Sequence, residues 1–148
     1  MHSFARKLIT EWRRLGLPVE GQTVVVAVSG GADSLSLLLA LDNLGVIERL
    51  RNRVVAAHFN HKIRGSASDA DQRRVAEITS NLGIELAVGY GSIKTSGNIE
   101  ESARNQRYSF LTETAKKLNA SIVLTAHTVN DQAETFLINL LRGSGVRG

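Results

Sequence analysis

Val24–Leu41, VVVAVSGGADSLSLLLAL, decides the fold. Its first five residues are β-branched or small and apolar, as in a strand covered on both faces. They stop at the small residues Ser29, Gly30, Gly31, Ala32, Asp33 and Ser34, after which a leucine pattern opens on Asp and Ser as a helix does. A strand, a glycine turn and a helix N-terminus in immediate succession gather backbone N–H groups at one spot, which suits a phosphate or pyrophosphate.

The turn lacks the Lys-Ser/Thr pair that follows the second glycine of a Walker A loop. Asp33 stands near the lysine's place. A carboxylate beside a phosphate repels it unless a cation lies between, so Asp33 points to Mg²⁺ or to a cationic substrate. A second reading stands beside this one: Asp33 or Ser34 caps the helix and the glycines only make the bend tight.

SGGADS resembles the pyrophosphate loop of the ATP pyrophosphatases, which break ATP between its α- and β-phosphates and adenylate a substrate. The family includes GMP, NAD and asparagine synthetases, tRNA thiolases and tRNA(Ile)-lysidine synthetase. The resemblance implies that Ser29, Gly30, Gly31, Ala32, Asp33 and Ser34 hold ATP, with Asp33 ordering Mg²⁺.

The remainder of the chain supplies an ordinary core. Of its 148 residues 43% are hydrophobic and 22% charged, enough apolar material for one domain. No apolar run approaches a membrane span and no signal-peptide pattern opens the chain, so a cytoplasmic location is expected. Without cysteine it has neither a disulfide framework nor thiolate metal ligands, nor can it pass sulfur through a persulfide of its own. A net charge of +4 mildly favours a polyanionic partner. Phe4, Leu8, Trp12 and Leu15 form a helical stripe in the first 17 residues, with Arg6, Lys7, Arg13 and Arg14 around it. Leu17-Pro18 and Gly21 then end that helix.

Strands are predicted near 24–28, 53–59, 84–88 and 121–125, each followed by polar residues, and Ser68–Leu82 is predicted as a helix capped by Ser68 or Asp69. Ligands of open α/β sheets lie at the carboxyl ends of strands. There the second strand runs into His58, Asn60 and His61, and HFNHKIRG is similar to the segment after the second strand of lysidine synthetases. That likeness assigns His58 and Asn60 to ATP. Asn98 opens a further helix, in which Arg104, Arg107 and Tyr108 share a face. On spacing alone the arginines either neutralise a departing pyrophosphate or pair with Glu100 and Glu101 on the surface. NIEESARNQRYSF resembles the Glu-x-x-Ala-Arg-x-x-Arg-Tyr block of lysidine synthetases, which implies that Arg104 steadies the α-phosphate.

After the fourth strand comes AHTVNDQAET. If a helix has begun by His127, then His127, Asp131 and Glu134 project from one side, as a metal site or a clamp for an ammonium group. TAHTVNDQAETFLINLLRGSGVRG is similar to the lysidine synthetase block Ala-His-x-x-Asp-Asp-Gln-x-Glu-Thr, with Asn130 in place of the first aspartate. By that resemblance these three residues bind L-lysine and guide its amine.

Four strand and helix alternations argue for an α/β fold, a three-layer sandwich with a parallel sheet and right-handed crossovers. The resemblance implies the adenine-nucleotide α-hydrolase arrangement of that fold, with ATP and Mg²⁺ as cofactors and tRNA(Ile) bearing a CAU anticodon as partner. It further implies one catalytic domain over residues 1–148, with tRNA-binding domains that family members carry beyond this point.

Overall fold

The computed structural model describes residues 2–62, 65–92, 97–128 and 134–140, the last stretch and 127–128 by their backbone. In chain order the elements are α1 (Ser3–Arg14), β1 (Glu20–Ala27), α2 (Ala32–Val46), β2 (Arg51–Asn60), α3 (Ser66–Leu82), β3 (Glu85–Tyr90), α4 (Ile99–Lys117), β4 (Ile122–Thr128) and β5 (Glu134–Leu140). One sheet has the order β3-β2-β1-β4-β5. β1 pairs in parallel with β2 and with β4, and β2 in parallel with β3.

Alternation along β1 explains the layers. Val24, Val26 and Val28 face α1, α2 and α3 in one cluster with Leu8, Trp12, Leu37, Leu41 and Val75. Val25 faces the other way, onto Leu111 and Ala115 of α4, with Ala57 and Val123. The strand order grows outward through α2 and α3 on one face, then doubles back through α4 on the other. Right-handed crossovers require that change of face when the direction of travel reverses. The reversal leaves β1 and β4 adjacent, with Val24, Val25 and Val26 opposite Ile122, Val123 and Leu124. Their carboxyl ends diverge into different layers, which opens a crevice there.

Two helix boundaries differ from expectation. Leu15 is 45% exposed because α1 stops at Arg14; the buried stripe runs instead through Phe4, Leu8 and Trp12 with Ala5 and Ile9. Trp12 also donates its indole N–H to the Pro18 carbonyl at 2.9 Å, closing the turn into β1. α3 starts at Ser66 rather than Ser68, and its N-cap is Gly65 at φ 53°, so neither Ser68 nor Asp69 is the cap. Its other end is as predicted, with Gly83 in the left-handed conformation at φ 68°.

The largest difference follows β4. Glu134–Leu140 is an antiparallel strand, with His127 opposite Thr135 and Thr128 opposite Glu134. The helical spacing that would put His127, Asp131 and Glu134 on one side therefore does not apply. A short apolar run such as TFLIN does not separate strand from helix by period. Its β-branched and aromatic residues, together with the open edge of β4, favour the extended form.

Candidate functional site

The glycine turn is built from its own serines. Ser34 Oγ accepts from the Ser29 N–H at 3.1 Å and donates to the Gly31 carbonyl at 3.1 Å. The Gly31 N–H in turn donates to Ser29 Oγ at 3.2 Å. With the Ser34 proton committed to Gly31, the 3.1 Å contact between the two hydroxyls has Ser29 as donor. Both hydroxyls thus hold the shape of the loop. Gly31 is the N-cap of α2 and has no side chain with which to cap it, so the first turn of the helix keeps its positive end turned toward the loop. Gly30 has φ +94°, and a Cβ there would lie 3.2 Å from Cβ of Asp71 on α3. Glycine is needed at that position on both counts.

Beside this loop, at the carboxyl ends of β1, β2 and β4, lies a cavity of about 310 Å³. Ser29 and Ser34 line it, together with His58 and Asn60 of β2, Ser68 and Asp71 of α3, Arg107 of α4 and Thr125 of β4. This is the crevice where the strand order reverses, the usual ligand position in such sheets.

Within the wall the groups divide by what they are bonded to. Asn60, 1% exposed, gives its two amide protons to Asp69 Oδ1 at 3.0 Å and Gln72 Oε1 at 2.8 Å, and its carbonyl accepts from the Lys62 N–H at 2.9 Å. Its role is to tie the end of β2 to α3. The Lys62 ammonium, 3.0 Å from Asp69 Oδ1, and the Asn60 amide hold the Asp69 carboxyl below its ordinary value. His58, 2% exposed, bonds through Nδ1 to the Val28 carbonyl at 2.7 Å.

Of the residues singled out in the sequence, the structure brings Ser29, Ser34, His58 and Asn60 to one wall. Ala32 and Asp33 are exposed in the first turn of α2, outside the cavity wall. Arg104 is exposed and also outside it; Arg107, three residues on, is half-buried and lines it. Both guanidinium groups lie over the Tyr108 ring, with Cζ at 5.7 Å and 5.4 Å from its centroid. The side chains of His127 and Glu134, and Asn130 and Asp131 entirely, lie outside the described residues. Ser68, Asp71 and Thr125 were not anticipated. A signal for the first two existed: Ser68 and Asp71 continue the stripe of Val75 and Thr79 at helical spacing, a polar head on the buried side of α3.

Among the described residues no three His, Cys, Asp or Glu side chains form a metal cluster. Mg²⁺ bound to phosphates needs only one or two protein carboxylates, and Asp33 in the first turn of α2 and Asp71 next to Gly30 are oxygen donors of the type that ion takes.

Residues 3–148 match the family described as PP-loop domain. The chain belongs to that family. This PP-loop domain is 40% identical to a tRNA(Ile)-lysidine synthase of Geobacter sulfurreducens over 86% of its own length and 28% of the relative's. It is 36% identical to a tRNA(Ile)-lysidine synthase of Chlorobaculum tepidum over 100% of its own length and 46% of the relative's. The PP-loop domain therefore spans less than half the length of these curated relatives. Its fold is similar to the U34-tRNA thiolase NcsA of Methanococcus maripaludis, with a TM-score of 0.61 and 19% identity over 80% of this chain and 44% of that one. Among the described residues no helix is long and apolar enough to cross a membrane.

Proposed function

We propose that this PP-loop domain is the catalytic part of a cytoplasmic enzyme that joins lysine to the wobble cytidine of a CAU-anticodon tRNA(Ile), converting ATP to AMP and pyrophosphate. The observation that carries the reading is the cavity between the SGGADS loop and Arg107, in a chain similar along nearly its whole length to tRNA(Ile)-lysidine synthases. The loop and the N-terminus of α2 receive the phosphates, with Ser29 and Ser34 holding the loop, Gly30, Gly31 and Ala32 giving close backbone approach, and His58 and Asn60 walling the nucleotide. Asp33 would hold Mg²⁺ beside the loop, and the ion would supply charge neutralisation for the phosphates.

In the first half-reaction the cytidine O2 attacks the α-phosphorus and pyrophosphate leaves with the electrons of the broken P–O bond. Arg107 faces that charge from the cavity wall, and Arg104, outside it, adds to the positive field. In the second the lysine amine bonds to C2 and the C2–O2 bond breaks, releasing AMP. The amine must lose a proton, and Asp131 or Glu134 is the acceptor, with His127 completing the lysine site. Adenylation provides the leaving group, so most of what remains for the protein is positioning.

The test is AMP release by the full-length protein with ATP, Mg²⁺, L-lysine and CAU-anticodon tRNA(Ile), each left out in turn. Release that needs both lysine and tRNA is expected. Release indifferent to either overturns the reading.

A further inference from the structure

Tyr90 ends the edge strand β3, and 58% of its surface is exposed. Its ring is nevertheless held in place. In register it stands opposite Asn60, the last residue of β2 and part of the cavity wall. Gln72 of α3 donates its amide N–H to the Tyr90 hydroxyl at 2.9 Å, and the Lys62 ammonium lies 5.2 Å from the ring centroid. Lys62 reaches that place from a left-handed backbone, at φ 60°, which side chains rarely adopt. Asn60 Oδ1 accepts the Lys62 N–H at 2.9 Å, and Asp69 holds the ammonium at 3.0 Å. A strained residue kept in position by such contacts marks something the fold maintains, and here that is an exposed aromatic ring beside the cavity wall.

The charges around it have one sign. Arg73, also exposed, lies one turn beyond Asp69 on α3, so two cations, Lys62 and Arg73, stand around that carboxylate. The other side of β3 has the opposite character. There the groove of about 760 Å³ between β3 and α4, which Tyr90 also borders, has Glu101 and Glu113 as its charged lining residues. A polyanion is therefore favoured on the α3 side and repelled from the α4 side. An exposed aromatic ring flanked by cations suits single-stranded RNA, whose unpaired bases stack on the ring while its phosphates meet the charges.

We propose that Tyr90 is a stacking platform for the unpaired base next in sequence to the cytidine that enters the cavity, with Arg73 meeting the phosphate of that nucleotide and Lys62 positioning the ring. The proposal rests on the RNA reading given above and adds the surface over which the RNA runs beside the cavity. One strand spacing, about 4.8 Å, separates Asn60 from Tyr90, so adjoining nucleotides of a splayed loop reach both. Stacking tolerates any base, so the contact supplies affinity and register rather than base identity. Tyr90, Lys62 and Arg73 do not line the 310 Å³ cavity, so RNA binding and ATP binding are separable by substitution.

Fluorescence anisotropy of a labelled stem-loop RNA with the CAU anticodon loop, bound to the full-length protein, tests this. Tyr90→Phe and Tyr90→Leu both lose the Gln72 bond, so the difference between them reads the ring alone. Tyr90→Phe is expected to bind the RNA within about twofold of wild type and Tyr90→Leu about tenfold more weakly, the effect of one lost stacking contact. Calorimetric ATP affinity stays the same in all three. Two further RNAs lack the base on the 5′ or the 3′ side of the wobble cytidine. One of them is expected to bind wild type about tenfold more weakly and to cost Tyr90→Leu nothing further, and which one names the base on the ring. Arg73→Ala lowers the slope of log affinity against log salt by about 0.7, one phosphate contact on a single strand. The proposal is overturned if Tyr90→Phe and Tyr90→Leu bind the RNA alike, if wild type binds both abasic RNAs as it binds the intact one, or if Arg73→Ala keeps the wild-type slope. A loss of ATP affinity in Tyr90→Leu as large as its loss of RNA affinity also overturns it, because the ring would then be a support of the cavity. Wild-type protein that binds ATP but not the stem-loop overturns it together with the RNA reading. RNA binding with the expected pattern but no lysine-dependent turnover removes only the ligation reading.

Discussion

Gly89→Ala places a methyl group where no room exists. A Cβ at that position would lie 2.5, 2.7 and 2.8 Å from Cδ2, Cε2 and Cγ of Phe110. Comfortable carbon contacts begin near 3.5 Å, so the ring must retreat by about 1 Å. It has little freedom, since Phe110 stacks at 5.5 Å on Phe59 and packs beside the buried cluster of Val25, Leu111 and Val123. Overpacking of this kind costs about 1–3 kcal/mol, against a gain of about 0.4–1 kcal/mol from restricting the unfolded chain at a former glycine. The net destabilisation of roughly 1–2 kcal/mol lowers the melting temperature by about 2–8 °C in a domain of this size. A double-mutant cycle isolates the steric part. With Phe110→Leu the ring edge is gone, and Gly89→Ala becomes neutral or slightly stabilising, a coupling of about 2 kcal/mol. Thermal or urea unfolding of the four proteins measures it. An equal cost of Gly89→Ala in both backgrounds would refute the reasoning, because the clash would then not be with Phe110.

Gly30→Ala meets both a positive φ and Cβ of Asp71, so it is expected to cost about 1–3 kcal/mol in urea unfolding and to weaken ATP binding; unchanged binding would detach the loop from the phosphates. Arg107→Ala lowers AMP formation by roughly 10²-fold or more, whereas Arg104→Ala changes it by less than about threefold, since only Arg107 lines the cavity. The reverse order in steady-state rates would restore Arg104 as the principal arginine. Asp69, whose folded value lies below the ordinary 3.8, contributes stability that is complete above about pH 5 and lost as pH falls through the depressed value. The gap in melting temperature between wild type and Asp69→Asn should accordingly close as the pH is lowered from 6 to 2.5, and a constant gap would argue against the charged contact with Lys62.

Much of the architecture could be read from period and punctuation. The alternate burial of Val24 to Val28, the break at Gly30-Gly31 and the leucine helix lie where the residues predict them, because local preference and tertiary demand agree. Boundaries failed where a side chain had two possible uses. Asp69 looks like a cap but is taken by Lys62 and Asn60, leaving glycine at the start of α3. The segment after β4 failed because its apolar residues suit helix and strand alike, and pairing along an open edge is not written in local period. In the site, the arginine pair was legible as a face of α4, but which member reaches the cavity depends on how α4 sits on the sheet. The inward turn of Asp71 likewise depends on its packing against Gly30.

β1 lies in the interior of the sheet, yet its neighbour β4 begins about a hundred residues later in the chain. During synthesis one whole edge of the most apolar strand must wait, bare, while α2, β2, α3, β3 and α4 emerge. Such distant pairing is slow to close and exposes a sticky intermediate until it does. The same late arrival delivers Thr125 to the cavity that Ser29 helped to begin, so a ligand-competent pocket and a protected strand edge come into being in a single step.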